Sequence, residues 1–233
     1  MALPDDEASH LARVLRLTAG DAVRVFDGRG LEFDAVVTLA DRGGASVRLG
    51  EPRTPAPELR VAMTLVQAVL KGEKMDEVVR DAVMLGVSAI QPLVSERSEV
   101  TLATLARAGK QHRWERVAVS SAKQCGRAVV PPVLEPIDVE GLVAGLTAQT
   151  VPVAVMMFVE PQTQAGVSRL ADLRVQDGSA ATVIIGPEGG WTSREIERVA
   201  PLGRLITLGG RTLRADAAAV VALSALQTIL GEF

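Results

Sequence analysis

The apolar positions change their period once along the chain, and the change divides it. Residues 21 to 49 carry short apolar runs, Ala22 to Phe26, Phe33 to Leu39 and Ala45 to Leu49, separated by Asp27-Gly28-Arg29-Gly30 and Asp41-Arg42-Gly43-Gly44. Short runs between Gly- and Asp-rich breaks predict a small antiparallel β unit. Ahead of it, Leu11, Val14 and Leu15 mark the inner face of an expected N-terminal helix, with Arg13 and Arg16 on the outer face. Prolines 52, 55 and 57 then read as a stiff linker, which places a domain boundary near residue 58.

Beyond that boundary, apolar strand candidates at Leu59 to Leu70, Ala89 to Val94, Val151 to Phe158, Ala181 to Ile185 and Leu205 to Leu208 alternate with helical patterns. Between Gly72 and Leu85, Met75, Val78, Val79, Ala82 and Val83 recur at helical spacing and define one buried stripe, with Asp76 and Arg80 as an exposed i,i+4 pair. Further helices are expected over Thr101 to Lys123, broken near Gly109, over Val139 to Leu146, and from Asp216 to about Leu230. Strands alternating with helices imply an α/β fold whose mainly parallel sheet opens a ligand crevice at the carboxyl ends of its strands.

Two glycine turns fall at such ends. The run Thr182 to Ile185 leads into Gly186-Pro187-Glu188-Gly189-Gly190, and Thr192 and Glu195 have the spacing of a capping box at the start of a helix. The second turn, Leu208-Gly209-Gly210-Arg211-Thr212-Leu213-Arg214-Ala215-Asp216, precedes the long C-terminal helix. Glycine there permits unusual φ and close approach of a ligand to the backbone.

Composition narrows the class. The chain has 233 residues, 48% of them hydrophobic, enough for one large domain or two small ones with a substantial core. No stretch approaches the roughly 18 apolar residues of a membrane span, and the first 21 residues lack a basic start and an apolar signal core, so a cytoplasmic location is expected. A single cysteine and two distant histidines offer neither a disulfide nor metal-ligand spacing. The net charge of −3 argues against a general nucleic-acid coat but leaves room for a local basic face. With 3% aromatics and no tyrosine, base recognition has to lean on arginine. The signatures of P-loop nucleotide hydrolysis, zinc proteolysis, serine hydrolysis and Rossmann dinucleotide binding are absent.

Taken in order, Arg13-Val14-Leu15-Arg16, Phe26-Asp27-Gly28, Lys71-Gly72-Glu73-Lys74-Met75, Leu85-Gly86-Val87, Ser95-Glu96-Arg97-Ser98, Gln124-Cys125-Gly126-Arg127, Ile185 to Gly190, and Leu213-Arg214 with Asp216 make a specific set. The chain resembles the 16S ribosomal RNA uracil-N3 methyltransferases of the RsmE family, in the SPOUT superfamily, over nearly its whole length. Two departures stand out. Where the family reads Leu-Arg-Thr-Glu-Thr-Ala, this chain has Leu213-Arg214-Ala215-Asp216-Ala217-Ala218. Members also carry a basic and aromatic first strand ahead of the segment that begins here at Met1.

The resemblance implies a PUA-like N-terminal β-barrel domain over residues 1–57 and a SPOUT methyltransferase domain over 58–233. The parallel sheet of the second would be tied in a trefoil knot containing both glycine turns, although pattern alone favours an unknotted doubly wound sheet. It also implies S-adenosylmethionine as cofactor, small-subunit ribosomal RNA as partner and a homodimer, with no metal. Ile185, Gly186, Pro187, Glu188, Gly189, Leu208, Gly209 and Leu213 are then expected in the cofactor pocket, with Met156 or Met157 as an apolar wall. RNA is expected to meet Arg13, Arg16, Lys71, Lys74, Arg97, Lys123, Arg127 and Arg211. Lys110, His112, Arg113 and Arg116 add charge around Trp114, where an ordinary surface helix is the simpler account.

Uracil chemistry suggests the catalytic pair. The N3 imide is a poor nucleophile while protonated, and deprotonation spreads charge onto O2 and O4, which a guanidinium can hold with planar paired hydrogen bonds. Arg214 is expected in that role, with Asp216 orienting it or acting as base. Cys125 reads as a small buried thiol, since N3 alkylation has no need of a covalent adduct. Two rivals remain: a related enzyme acting on another RNA or on a ribose 2′-hydroxyl, and a catalytically weak RNA-binding protein. The C-terminal helix is apolar on more than one side, with Val220, Val221, Leu223, Leu226 and Ile229 spread around it, which suggests an isologous dimer contact.

Overall fold

The computed structural model describes residues 1–41, 43–163, 166–173 and 180–232. They form two compact units, one made of Met1–Pro57 with Gly126–Val130, the other of Glu58–Cys125 with Pro131–Phe233. The return of 126–130 to the first unit is a feature the linker pattern alone does not reveal.

In the first unit, α1 (Asp5–Ser9) runs directly into a π-helical turn over His10–Val14. Strands β1 (Ala22–Phe26), β2 (Glu32–Asp41) and β3 (Gly44–Arg53) form an antiparallel sheet in that order. Its edges are extended by bridges from Ala2 to Ser46 and from Val129 to Gly28 and Arg29. Ala8, Leu11, Val37 and Ala45 close a small core. The expected inner face of the helix needs correction, because Val14 and Leu15 are 65% and 54% exposed. The π turn, closed by the Leu15 N–H on the His10 carbonyl, advances side chains by a different angle from an α-helix. Arg16 lies beyond the helix with φ +56°, so Arg13 and Arg16 do not share a helical face.

The second unit contains β4 (Met63–Ala68), α2 (Lys74–Met84), β5 (Ala89–Val94), α3 (Leu102–Arg107), α4 (Lys110–Cys125), β6 (Ile137–Asp138), α5 (Val139–Thr147), β7 (Val153–Phe158), β8 (Val167–Arg169), β9 (Ala180–Ile185), α6 (Ser193–Val199), β10 (Arg204–Thr207) and α7 (Ala215–Ile229). All its strand pairs are parallel, in the order β6-β5-β4-β9-β7-β10-β8. The central strands β4, β9 and β7 are almost wholly buried, as their uninterrupted apolar runs require. Gly203 lets β10 enter beside β7: a Cβ there would lie 2.5 Å from the Val155 carbonyl oxygen.

On one face of the sheet, Leu142 of α5 and Val199 of α6 pack with Val66, Leu93, Val155, Met157 and Ile184. Helices α2, α4 and α7 pack together, and α2 buries the five residues of its predicted stripe. Gly109, at φ +58°, separates α3 from α4. The expected Asp76–Arg80 pair does not form. Arg80 turns to Asp81 at 2.8 Å, while Asp76 accepts from Arg113 of α4 at 2.6 Å, which fixes one helix to the other. In α7, Ala219, Ala222, Leu223 and Leu226 are buried within the subunit, and only Val221 and Ile229 among its large apolar residues are well exposed, each 41%. No helix is long and apolar enough to cross a membrane, and no group of three His, Cys, Asp or Glu that could hold a metal occurs among the described residues.

Candidate active site

Both glycine turns lie at carboxyl strand ends of the parallel sheet, the first after β9 and the second after β10, with the end of β7 between them. The first turn is held by packing. Thr192 and Glu195 form the predicted capping box: the Glu195 N–H donates to Thr192 Oγ1 at 3.2 Å, and the Thr192 N–H to Glu195 Oε2 at 2.8 Å. The other Glu195 oxygen accepts the Glu96 N–H at 2.9 Å, so this buried carboxylate ties α6 to the loop after β5. Trp191 is buried, its indole N–H donating to the Phe158 carbonyl at 2.9 Å. It lies against Gly186, where a Cβ would come within 3.0 Å of the ring. Gly190 has φ +68°, and a Cβ there would overlap the Glu160 carboxylate.

The second turn is shaped by its own backbone. Thr207 Oγ1 donates to the Gly209 carbonyl at 3.0 Å, and Gly209 has φ +118°. Arg214, not Asp216, occupies the N-cap position of α7 and offers no side-chain cap. Its guanidinium instead makes a two-point fork with Asp216, Nε to Oδ1 at 3.1 Å and Nη2 to Oδ2 at 3.2 Å, with Arg214 largely exposed. Partial burial pushes the Asp216 carboxyl up, but hydrogen bonds from Arg214 and from its own backbone N–H, with the charges of Arg214 and Lys74, carry it below its ordinary value. A carboxylate held this way is ionised at neutral pH and is a weaker base than a free one, which favours the orienting role over the proton-accepting one.

Between the turns lies a cavity of about 330 Å³. Of the expected pocket residues, Ile185, Gly186, Pro187, Glu188, Leu208 and Leu213 line it, together with Arg214, Asp216, Lys74 and Arg211. Gly189 and Gly209 lie beside the lining. Met156 is a correction: it is 1% exposed in the sheet interior, and the apolar wall is made by Phe158 at the end of β7 and Val159 just past it. Reading from sequence also missed Glu160, Pro161, Trp191, Thr207 and Thr212. The signal for the β7 residues is their place just past a strand end, which becomes informative only once β7 is known to lie between β9 and β10.

The rim is tied by ions. Glu188 Oε1 accepts from Lys74 Nζ at 2.9 Å and from the Lys71 N–H at 3.3 Å. Burial pushes the Glu188 carboxyl up, and these donors, with its own backbone N–H, bring it below the ordinary value. Lys71 also pairs with Glu99, whose hydrogen bond and charge raise the lysine. Arg97 donates to the Gly189 carbonyl at 2.8 Å, so it braces the first turn. Lys123 is exposed at the end of α4. Arg127 is buried, 7% exposed, and this corrects its expected role as an open RNA contact, since burial of a guanidinium requires partners inside the protein. Arg13 and Arg16 are exposed in the first unit. Around buried Trp114, Arg113 is tied to Glu73 and Asp76 and His112 to Glu115, so that cluster does not present four open charges. Cys125 donates to the Ala122 carbonyl at 3.6 Å and does not line the cavity.

Residues 57–227 match the RNA methyltransferase domain family, and residues 3–50 match the RNA methyltransferase PUA domain. The second unit, with its parallel sheet and paired turns, is therefore an RNA methyltransferase domain. Ribosomal RNA small subunit methyltransferase E of Synechocystis is 33% identical over 224 residues, covering 95% of this chain and 70% of its own length. The enzyme of the same name from Mycobacterium bovis is 31% identical over 224 residues, 95% of this chain and 83% of its own. The structure of the Neisseria gonorrhoeae ribosomal RNA small subunit methyltransferase E bound to S-adenosyl methionine matches with a TM-score of 0.86 at 31% identity, over 98% of this chain and 91% of that one. The chain belongs to the ribosomal RNA small subunit methyltransferase E family.

Proposed function

We propose that this protein transfers a methyl group from S-adenosylmethionine to N3 of one uridine in the 16S ribosomal RNA of the small subunit, inside the cell. The observation that carries the reading is the Arg214–Asp216 fork on the wall of a cavity built from two glycine turns. The cavity suits such a cofactor: Phe158, Ile185, Trp191, Leu208 and Leu213 give apolar surface for a purine, and the turns bring backbone N–H and C=O groups close enough to read its polar edges. When bound, the cofactor supplies an electrophilic methyl group for direct in-line transfer.

The chain's own residues do the rest. Asp216 uses both oxygens on one edge of the Arg214 guanidinium, leaving its remaining N–H donors for the charge that develops on a deprotonated uracil ring. The aspartate in place of the family's glutamate still reaches the arginine, because only one residue separates them at the start of α7. Lys74, Arg211 and the exposed Arg13 and Arg16 of the PUA unit are the basic groups assigned to RNA. The trefoil knot is part of the same reading, supported by β10 inserting between β7 and β8 before the chain continues into α7.

Nucleoside mass spectrometry of small-subunit RNA from a strain lacking the gene tests this. The protein should restore 3-methyluridine and the Arg214→Ala variant should not. Appearance of 2′-O-methyluridine instead would overturn the N3 assignment.

A homodimer is also proposed, through the open side of α7. Val221 and Ile229 there, and Met84 of the adjoining α2, are the exposed apolar residues that support it. Sedimentation equilibrium at micromolar concentration should give twice the 24.5 kDa chain mass, and Val221→Glu should shift it toward monomer. A monomeric wild type rejects the dimer.

A further inference from the structure

Six charged side chains line the cavity, and four of them neutralise each other in pairs: Lys74 with Glu188, and Arg214 with Asp216. The other two, Glu160 and Arg211, have no hydrogen-bond or ion-pair partner among the described residues. Glu160 is the more telling. It stands two residues past the end of β7, it is half-buried, and its carboxylate rests against Gly190 in the space a side chain would fill. The left-handed Gly190 thus does more than turn the chain: it admits a carboxylate into the cavity wall. With no partner among the described residues, this carboxylate keeps its acceptor sites for a ligand cation in the cavity. Opposite in sign, Arg211 stands on the second turn, on the wall of the same cavity.

We propose that Glu160 and Arg211 form a zwitterion clamp, in which Glu160 binds the α-ammonium of the cofactor's methionine moiety and Arg211 its α-carboxylate. The proposal rests on the reading of the cavity as a site for S-adenosylmethionine. A clamp of this kind selects intact aminoacyl cofactor over the neutral adenosine thioethers that share its purine and ribose, and it fixes the end of the chain opposite the purine, so that the sulfur between them is placed by two anchors.

Isothermal titration calorimetry with S-adenosylhomocysteine, S-adenosylmethionine, decarboxylated S-adenosylmethionine and 5′-methylthioadenosine tests it on the full chain. Glu160→Gln keeps the shape against Gly190. It should weaken S-adenosylhomocysteine and S-adenosylmethionine alike by about tenfold or more, the effect of losing a hydrogen bond to a charged group, while 5′-methylthioadenosine stays within about twofold. Arg211→Met should weaken S-adenosylmethionine but not its decarboxylated form. The neutral thioether reports on folding and on the purine subsite in each variant. Equal loss of all ligands in Glu160→Gln places the carboxylate on the nucleoside and overturns the clamp. Loss for S-adenosylmethionine without loss for S-adenosylhomocysteine places it on the sulfonium and does the same. Unchanged affinities also reject it. If the wild type binds none of the four, the cofactor reading itself is what fails.

Discussion

The two glycine turns look alike in sequence and are held in opposite ways. At 186–190 the glycines are demanded by neighbours: Gly186 by the Trp191 ring, Gly190 by the Glu160 carboxylate, with a capped helix behind them. At 208–214 nothing lies within 4 Å of a Cβ on Gly209 or Gly210, and the side chains of Arg211, Thr212 and Arg214 are exposed. Glycine therefore has two meanings here, space at one turn and backbone freedom at the other. The packed turn is a wall, and the open turn carries the arginine and aspartate assigned to chemistry. Ligand-contacting groups on a less constrained loop beside a rigid one are what binding with adjustment requires.

That division can be broken from either side. The largest effect is expected from Arg214→Ala, which should lower methyl transfer by about 10²–10³-fold, the range for removing one preorganised charge-stabilising donor, with cofactor affinity changed only severalfold. Single-turnover rates beside calorimetry would show it. Equal losses in rate and affinity would assign Arg214 to holding the cofactor and not to the developing charge, and erase the contrast.

Next comes Gly190→Val, which meets both a left-handed backbone and the Glu160 carboxylate and should cost about 2–4 kcal/mol in urea unfolding. Gly210→Ala, with open space and no positive φ, should stay within about 0.5 kcal/mol of wild type or gain slightly from the unfolded side. Similar costs at the two positions would refute the comparison.

A smaller effect sharpens it by pH. Glu188 is held below its ordinary value, so the stability it lends the packed turn is complete above the unfolded carboxylate value and disappears as pH falls through the lower folded one. The difference between wild type and Glu188→Gln, under about 1 kcal/mol for a pair open to solvent, should persist from neutral pH to about pH 5 and shrink below it. A difference that grows on acidification contradicts the assignment. Smallest of all, Cys125→Ser should leave methyl transfer within about twofold, because the thiol lies outside the cavity and N3 alkylation needs no covalent adduct.

Features with local causes were legible in the sequence. The capping box of Thr192 and Glu195 and the five-residue stripe of α2 depend on spacings of three and four, and both stand as read. The break at Gly109 needed one residue. What required pairing partners was not legible. Phe158 and Glu160 gain their place from the neighbours of β7 in the sheet, so Met156, two residues earlier on the same strand, was as good a candidate on paper. Asp76 left Arg80 because α4 brings Arg113 within reach, a contact across 37 positions. Val14 and Leu15 misled because the helix changes type beneath them.

One buried side chain on α7 reaches further than its size suggests. Gln227 donates to the carbonyl of Leu85 at the end of α2, on a helix whose other buried residues, Ala215, Ala219, Ala222, Leu223 and Leu226, are all apolar. Apolar contacts are non-directional and tolerate small slides and rotations, whereas a single amide with a single acceptor accepts one register only. The same two helices carry the cavity's Lys74 and its Arg214–Asp216 fork at their opposite, amino-terminal ends. Gln227 therefore works as an indexing pin: it sets the azimuth of α7 about four turns away from the reacting groups, and a one-residue slip at the pin would swing the arginine by roughly 100° around the helix axis.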